Sequence, residues 1–190
     1  YDVEMKGTRV KGIRLFRKWA AADTVTNIRE IQYWINDVNV VASSNGGVVS
    51  TNIPDLSGNE INKINDSADP VDGSTFHSSG ATGSLGEFIQ ILFSKSHALI
   101  DTQAVVLYSH NFSEHTRLQG YVFQFLNESN ETILETDEIN PYGLGHVGSE
   151  YYVLKGPKYD SASKTSAKTY GMNSIWDGTG NTGGVVTIDL

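Results

Sequence analysis

Residues 28–35 read Ile28-Arg29-Glu30-Ile31-Gln32-Tyr33-Trp34-Ile35, and residues 121–126 read Tyr121-Val122-Phe123-Gln124-Phe125-Leu126. In the first stretch Ile31, Tyr33 and Ile35 share one face, with Glu30 and Gln32 on the other. In the second, Tyr121, Phe123 and Phe125 alternate with the residues between them. A repeat of two is the strand period, because successive side chains point to opposite faces of a pleated chain. Short runs of the same kind stand at 13–16, 88–93, 104–108, 132–134, 151–154 and 185–188. They are mostly β-branched or aromatic and are bounded by Gly, Asn, Ser or Asp. No window of 12 or more residues carries a helical period. The stretches 43–47, 55–72, 158–168 and 177–184 read as loops or connectors, and 127–131 as a hairpin turn. The expected fold is all-β, a β-sandwich.

The chain has 190 residues, a length compatible with one domain and a sizeable core. It has no cysteine, which removes disulfides, thiolate nucleophiles, iron–sulfur clusters and cysteine-based zinc sites. Fourteen basic residues stand against 22 acidic ones, a net charge of −8, which disfavours nucleic acid and anionic membranes as partners. No apolar run approaches the ~18 residues of a membrane helix, so membrane insertion is not expected. The chain opens at Tyr1 without a charged-then-apolar leader, as a mature or excised piece does. Six basic residues crowd the start: Lys6, Arg9, Lys11, Arg14, Arg17 and Lys18. Strict alternation puts Arg9, Lys11, Ile13, Leu15 and Arg17 on one face and Val10, Gly12, Arg14, Phe16 and Lys18 on the other. The basic residues are then spread over both faces, as at a solvated strand end.

The sequence Asp69-Pro-Val-Asp72-Gly73-Ser74, continued by Phe76-His77-Ser78-Ser79, resembles the N-A-V-D-G-N loop of F-type lectins and other galactose-binding-like (discoidin-type) modules. Three further stretches agree in order. Gly12-Ile-Arg-Leu-Phe16 followed by Thr26-Asn-Ile-Arg-Glu-Ile-Gln-Tyr33 resembles the paired strands "YVRI … LNIAEIQV". Gly86-Glu-Phe-Ile-Gln-Ile91 resembles "W-W-x-V-D-L". Val106-Leu-Tyr-Ser-His110, running to Arg117-Leu-Gln-Gly120, resembles "I-Y-N-R-x-D-x-x-x-x-R-L-x-G". The resemblance covers roughly residues 12–126. It implies a jelly-roll β-sandwich over 1–157, followed by an extension or linker with a final strand over 158–190.

In F-type lectins that aspartate loop binds calcium. The resemblance implies Asp72 as carboxylate ligand, backbone carbonyls of Asp69 and Ser74, and the hydroxyl and carbonyl of Ser79. It adds the Glu30 carboxylate and the Arg29 carbonyl from the strand matching "C-E-V-E-V". Calcium takes 6–8 oxygens, neutral ones included, so this donor set suits a structural Ca2+. The competing reading is a plain turn in which Asp72 caps backbone N–H groups.

Fucose in that family is held by a histidine and two arginines. The histidine position falls near Thr82 and the first arginine falls on His110, so only Arg117 is kept and fucose specificity does not carry over. His110, Asn111, Phe112, His115 and Arg117 still place donors, an amide and a ring within eight residues, a composition suited to a polyhydroxylated ligand. Against it stands a structural Arg117, bonded to carbonyls or a loop carboxylate. Trp19, Trp34 and Trp176 are sugar-stacking candidates as much as core or rim residues.

No hydrolase elbow, metalloprotease motif, Walker loop or dinucleotide fingerprint occurs, and the expectation is a non-enzymatic module. Its partner is a carbohydrate or glycosylated surface. The viral look of the N-terminal strands implies an extracellular or virion-surface attachment component, compatible with a homo-oligomer or larger virion assembly. Two alternatives stand beside it: a structural protein–protein interaction module, and an accessory domain of a carbohydrate-active enzyme.

Overall fold

The computed structural model describes residues 7–21, 23–66, 75–80, 83–109, 117–139, 151–158 and 184–187. Its strands are β1 (Arg9–Arg17), β2 (Asn27–Ile35), β3 (Val38–Asn39), β4 (Val48–Thr51), β5 (Phe76–His77), β6 (Phe88–Ala98), β7 (Thr102–Ser109), β8 (Tyr121–Leu126), β9 (Thr132–Glu135), β10 (Tyr151–Lys155) and β11 (Gly184–Thr187). Among the described residues, no helix is long and apolar enough to cross a membrane.

The strands form two sheets. One runs β4-β6-β1-β8-β9, the other β11-β10-β7-β2-β3, with β5 also paired to β2. Every pairing is antiparallel except β10 with β11, so a strand of the C-terminal stretch joins the same sheet as β10.

The alternation read from sequence becomes the layer between the sheets. Ile13, Leu15, Ile89, Ile91, Phe123 and Phe125 of the first sheet share one buried cluster with Ile31, Tyr33, Ile35, Val105, Leu107 and Leu154 of the second. Tyr33 is the pivot across the gap, edge-on to Phe93 at 5.1 Å and to Phe125 at 5.9 Å between ring centres. Burying a side chain of this size is worth about 1.5–3 kcal/mol, so the aromatic face read at 121–125 is the main reason the sheets stack. The Tyr33 hydroxyl stays satisfied against Thr102 Oγ1 at 2.5 Å.

Strand β1 departs from strict alternation. Its register against β6 shifts between Val10 and Gly12. Across that shift β1 advances two residues and β6 five, and the buried face of β1 changes parity between Val10 and Ile13. Val10 is buried, Arg9 is exposed and Lys11 is half-exposed, whereas Ile13, Leu15 and Arg17 point inward. The face shared by Arg9, Lys11 and Arg17 in the sequence reading therefore does not exist. Gly12 is needed where the strands close up, since a Cβ there would stand 2.8 Å from the Ile91 carbonyl.

The outer face of this sheet carries a polar ladder. Arg14 donates to Gln90 Oε1 and Gln124 Oε1, with its guanidinium over the Phe88 ring. Gln124 donates to Glu135, which also pairs with Lys18. The ladder crosses β6, β1, β8 and β9 and fixes their register by side chains as well as by backbone.

Candidate functional site

One end of the sandwich is organised around Arg17. Sequence parity alone marks it as inward, two positions past Leu15, but a charge at that position reads as a solvated strand end. The structure corrects this: Arg17 is fully buried. Burial of a guanidinium demands partners, and several elements supply them. Glu87 Oε2 stands 3.1 Å from its Nε. The two terminal nitrogens donate to the Gln119 carbonyl and to Thr26 Oγ1, each at 3.0 Å. The Tyr121 ring lies 4.3 Å beneath the guanidinium carbon, and its hydroxyl bonds Thr26 Oγ1 at 2.8 Å. Burial pushes the Tyr121 hydroxyl to a raised pKa, against the pull of Arg17. Glu87 in turn accepts from the backbone N–H groups of Gly83 and Ser84.

This cluster ties together three surface segments. Residues 83–87 are held by Glu87 and by Gly86 N–H to the Arg17 carbonyl. Residues 117–121 are held by the Gln119 carbonyl, and by Lys18 and Trp19 N–H groups on the Gly120 carbonyl. Residues 23–26 are held by Thr26, whose N–H donates to Ser78 Oγ. What the surface then presents is mixed. Trp19 is 45% exposed and Leu85 66% exposed. Arg117 Nε lies 3.6 Å from Asp23 Oδ2, and both side chains remain partly open to solvent. An exposed indole face with a charged donor–acceptor pair on the same rigid end supplies what a sugar needs: a surface for its apolar face and directional groups for its hydroxyls.

Of the residues expected to bind ligand, Arg117 stands here, engaged with the carboxylate of Asp23. Sequence reasoning missed Asp23, since a lone aspartate in a loop carries no signal. Thr82, His110, Asn111, Phe112 and His115 lie outside the described residues. The chain on either side of them is described and belongs to this end: Gly83 approaches Thr24 and Asp23, and Ser109 pairs with Ile28.

For the expected metal site, Asp69, Asp72 and Ser74 lie outside the described residues. Glu30 sits in β2 with 1% of its surface exposed, and Arg29 stands at a register shift between Ile28 and Glu30. The chain returns beside them at Thr75, whose hydroxyl donates to Asn27 Oδ1 at 2.5 Å, with the Ile28 carbonyl at 3.1 Å. Arg29 and Glu30 therefore lie near the point where the described chain resumes at Thr75. With Asn27 opposite His77 and Ile28 opposite Phe76, Ser79 lies beyond the His77 end of β5, while Glu30 lies toward its Phe76 end. Among the described residues no group of three or more His, Asp or Glu side chains gathers for a metal.

No protein-family model, no curated protein and no solved structure matches the chain.

Proposed function

We propose that this chain is a non-enzymatic carbohydrate-binding module, a jelly-roll sandwich of galactose-binding-like type, acting at an extracellular or virion surface. It recognises a carbohydrate or glycosylated partner with the end of the sandwich built on Arg17. The observation that supports this best is the exposed Trp19 ring, fixed through its backbone to Gly120 on the same end as the Arg117–Asp23 pair. Calcium in this reading is held by the Asp72 and Glu30 carboxylates, the carbonyls of Asp69, Ser74 and Arg29, and Ser79. A glycan array probed with wild type and with Trp19→Ala tests the sugar site: a glycan bound by the first and lost by the second supports it, and no bound glycan removes it. Thermal melting with and without millimolar Ca2+ tests the metal separately, because a ligand of the folded state must raise its melting temperature.

A second reading is favoured by Leu85, the most exposed of the large apolar side chains on this end. The same surface would then dock a protein or a further copy of the chain in an assembly. Light scattering at rising concentration, comparing wild type with Leu85→Ser, separates it from sugar binding.

A further inference from the structure

The register shift between β1 and β6 has a second effect, at the end of β1 away from Arg17. It turns Arg9 and Lys11 outward together, beside the distal half of β6, where Lys95 and His97 stand. Arg9 donates to Ser96 Oγ at 2.9 Å and to the Ser96 carbonyl at 2.6 Å, and Lys11 donates to the Ser94 carbonyl at 3.0 Å. These bonds spend only part of the donor capacity of either side chain: a guanidinium has five N–H groups and an ammonium three. Among the described residues no carboxylate forms an ion pair with Arg9, Lys11 or Lys95. His97 packs edge-on against Phe93 and feels Lys95, Arg9 and Lys11 as like charges and Asp101 as the single opposing one. A concentrated positive surface thus stands on a chain whose net charge is −8.

We propose that Arg9, Lys11, Lys95 and His97 form a second binding surface, for a sulfated polysaccharide. Two of the cations are pinned to backbone carbonyls, so little rotamer freedom is left to lose when an anion arrives. Sulfates need point charges and spare N–H donors, and this surface offers both. Nucleic acid fits less well. A strand needs aromatic faces for its bases and a long basic track for its phosphates. Here the Phe93 ring beside His97 is buried and offers no face for a base. Arg9 lies eight residues from Arg17, roughly 26 Å along β1 at ~3.3 Å per residue, so this surface is separate from the Trp19 end and does not depend on it.

Heparin is the probe. The full chain is expected to be retained on heparin at roughly 0.1 M NaCl and released as salt rises, since each phosphate- or sulfate-type contact contributes a salt-dependent term. Lys95→Gln is expected to elute earlier, while Lys63→Gln, with the same loss of charge, is expected to elute with wild type. Arg9→Gln/Lys11→Gln/Lys95→Gln is expected to bind at least about tenfold more weakly, from the salt dependence of three lost contacts. Among the described residues Lys95 makes no side-chain hydrogen bond, so the single variant decides the matter if the triple one unfolds. Bound heparin must also raise the His97 pKa, read by NMR titration. The proposal is overturned if wild type is not retained, if Lys63→Gln weakens binding as much as Lys95→Gln, if desulfated heparin binds equally, or if a DNA oligonucleotide binds more tightly than heparin.

Discussion

Arg17 and Glu87 meet at 3.1 Å inside the sandwich end, with the Arg17 side chain sealed from solvent and that of Glu87 only 11% exposed. Arg17 closes β1 and Glu87 immediately precedes β6, so the pair sits between two neighbouring strands where the core gives way to loops. Both carboxylate oxygens of Glu87 also accept from the 83–87 turn, and the two terminal nitrogens of Arg17 serve Gln119 and Thr26. Removing either member leaves a charge without its counter-charge and releases two surface segments at once.

Arg17→Met is expected to lose about 3–5 kcal/mol, the range for breaking one side of a buried ion pair. Arg17→Lys keeps the charge but not the planar fork, and is expected to fall between Met and wild type. Urea denaturation midpoints of the three proteins check the order. A Met variant as stable as wild type contradicts the role given to the pair.

Gly120 has φ of +80°, and a Cβ there would sit 2.0 Å from the Trp19 carbonyl oxygen. Gly120→Ala is expected to cost more than about 1 kcal/mol, because both the backbone region and the space are denied to alanine. Its second expected effect is a shift in Trp19 emission, since the Trp19 backbone is bonded to this residue. Unchanged emission together with unchanged stability would count against the tie.

Trp19→Ala is expected to leave stability within about 0.5 kcal/mol of wild type, as for an exposed position. Any glycan binding at the Arg17 end should be lost with it. Tryptophan quenching by the glycan, absent in the variant, is the measurement.

Glu135 has a carboxyl held below its ordinary pKa, first by the hydrogen bond from Lys18 and then by that from Gln124. A depressed folded-state pKa contributes stability above the unfolded value, and that contribution is lost as pH falls through the folded value. Glu135→Gln is therefore expected to melt lower than wild type at pH 7, with the gap closing as pH drops below about 4.5. A gap that persists unchanged to pH 3 would assign the loss to packing.

Tyr33 and Tyr121 are both shifted upward, in each case chiefly by burial. A raised folded-state pKa of an acid means stability that is full below the unfolded value near 10 and declines as pH rises above it. Both are expected to ionise only as the fold opens. Phenolate absorbance followed with circular dichroism above pH 10 should show a late fraction that coincides with unfolding. Tyr33→Phe is expected to remove part of that fraction.

The strand pattern was legible because it is local. Tyr121, Phe123 and Phe125 all turn inward, as do Ile31, Tyr33 and Ile35, and a period of two needs no knowledge of the partner strand. The bonds of Glu135 to Lys18 and of Glu138 to the Gly120 N–H were not visible in the sequence, because they join residues distant in the chain. Arg17 was misplaced because burial of a charge depends on what meets it: Glu87, Thr26 and Tyr121 are 70, 9 and 104 residues away in the chain. Arg9 and Lys11 were misplaced because a bulge leaves no mark in the alternation of one strand; it exists only as a mismatch with β6.

The sequence by itself determined that the chain is all-β, which faces of most strands are apolar, and which chemistries are absent with cysteine. These follow from side-chain type and spacing, properties of neighbours in the chain. The tertiary structure decided how two sheets stack through Tyr33, which charges are buried, and which are gathered on one surface. Those outcomes turn on strand register and on the desolvation of groups distant in sequence, where one residue of slippage reverses a face and one partner makes a buried charge tolerable.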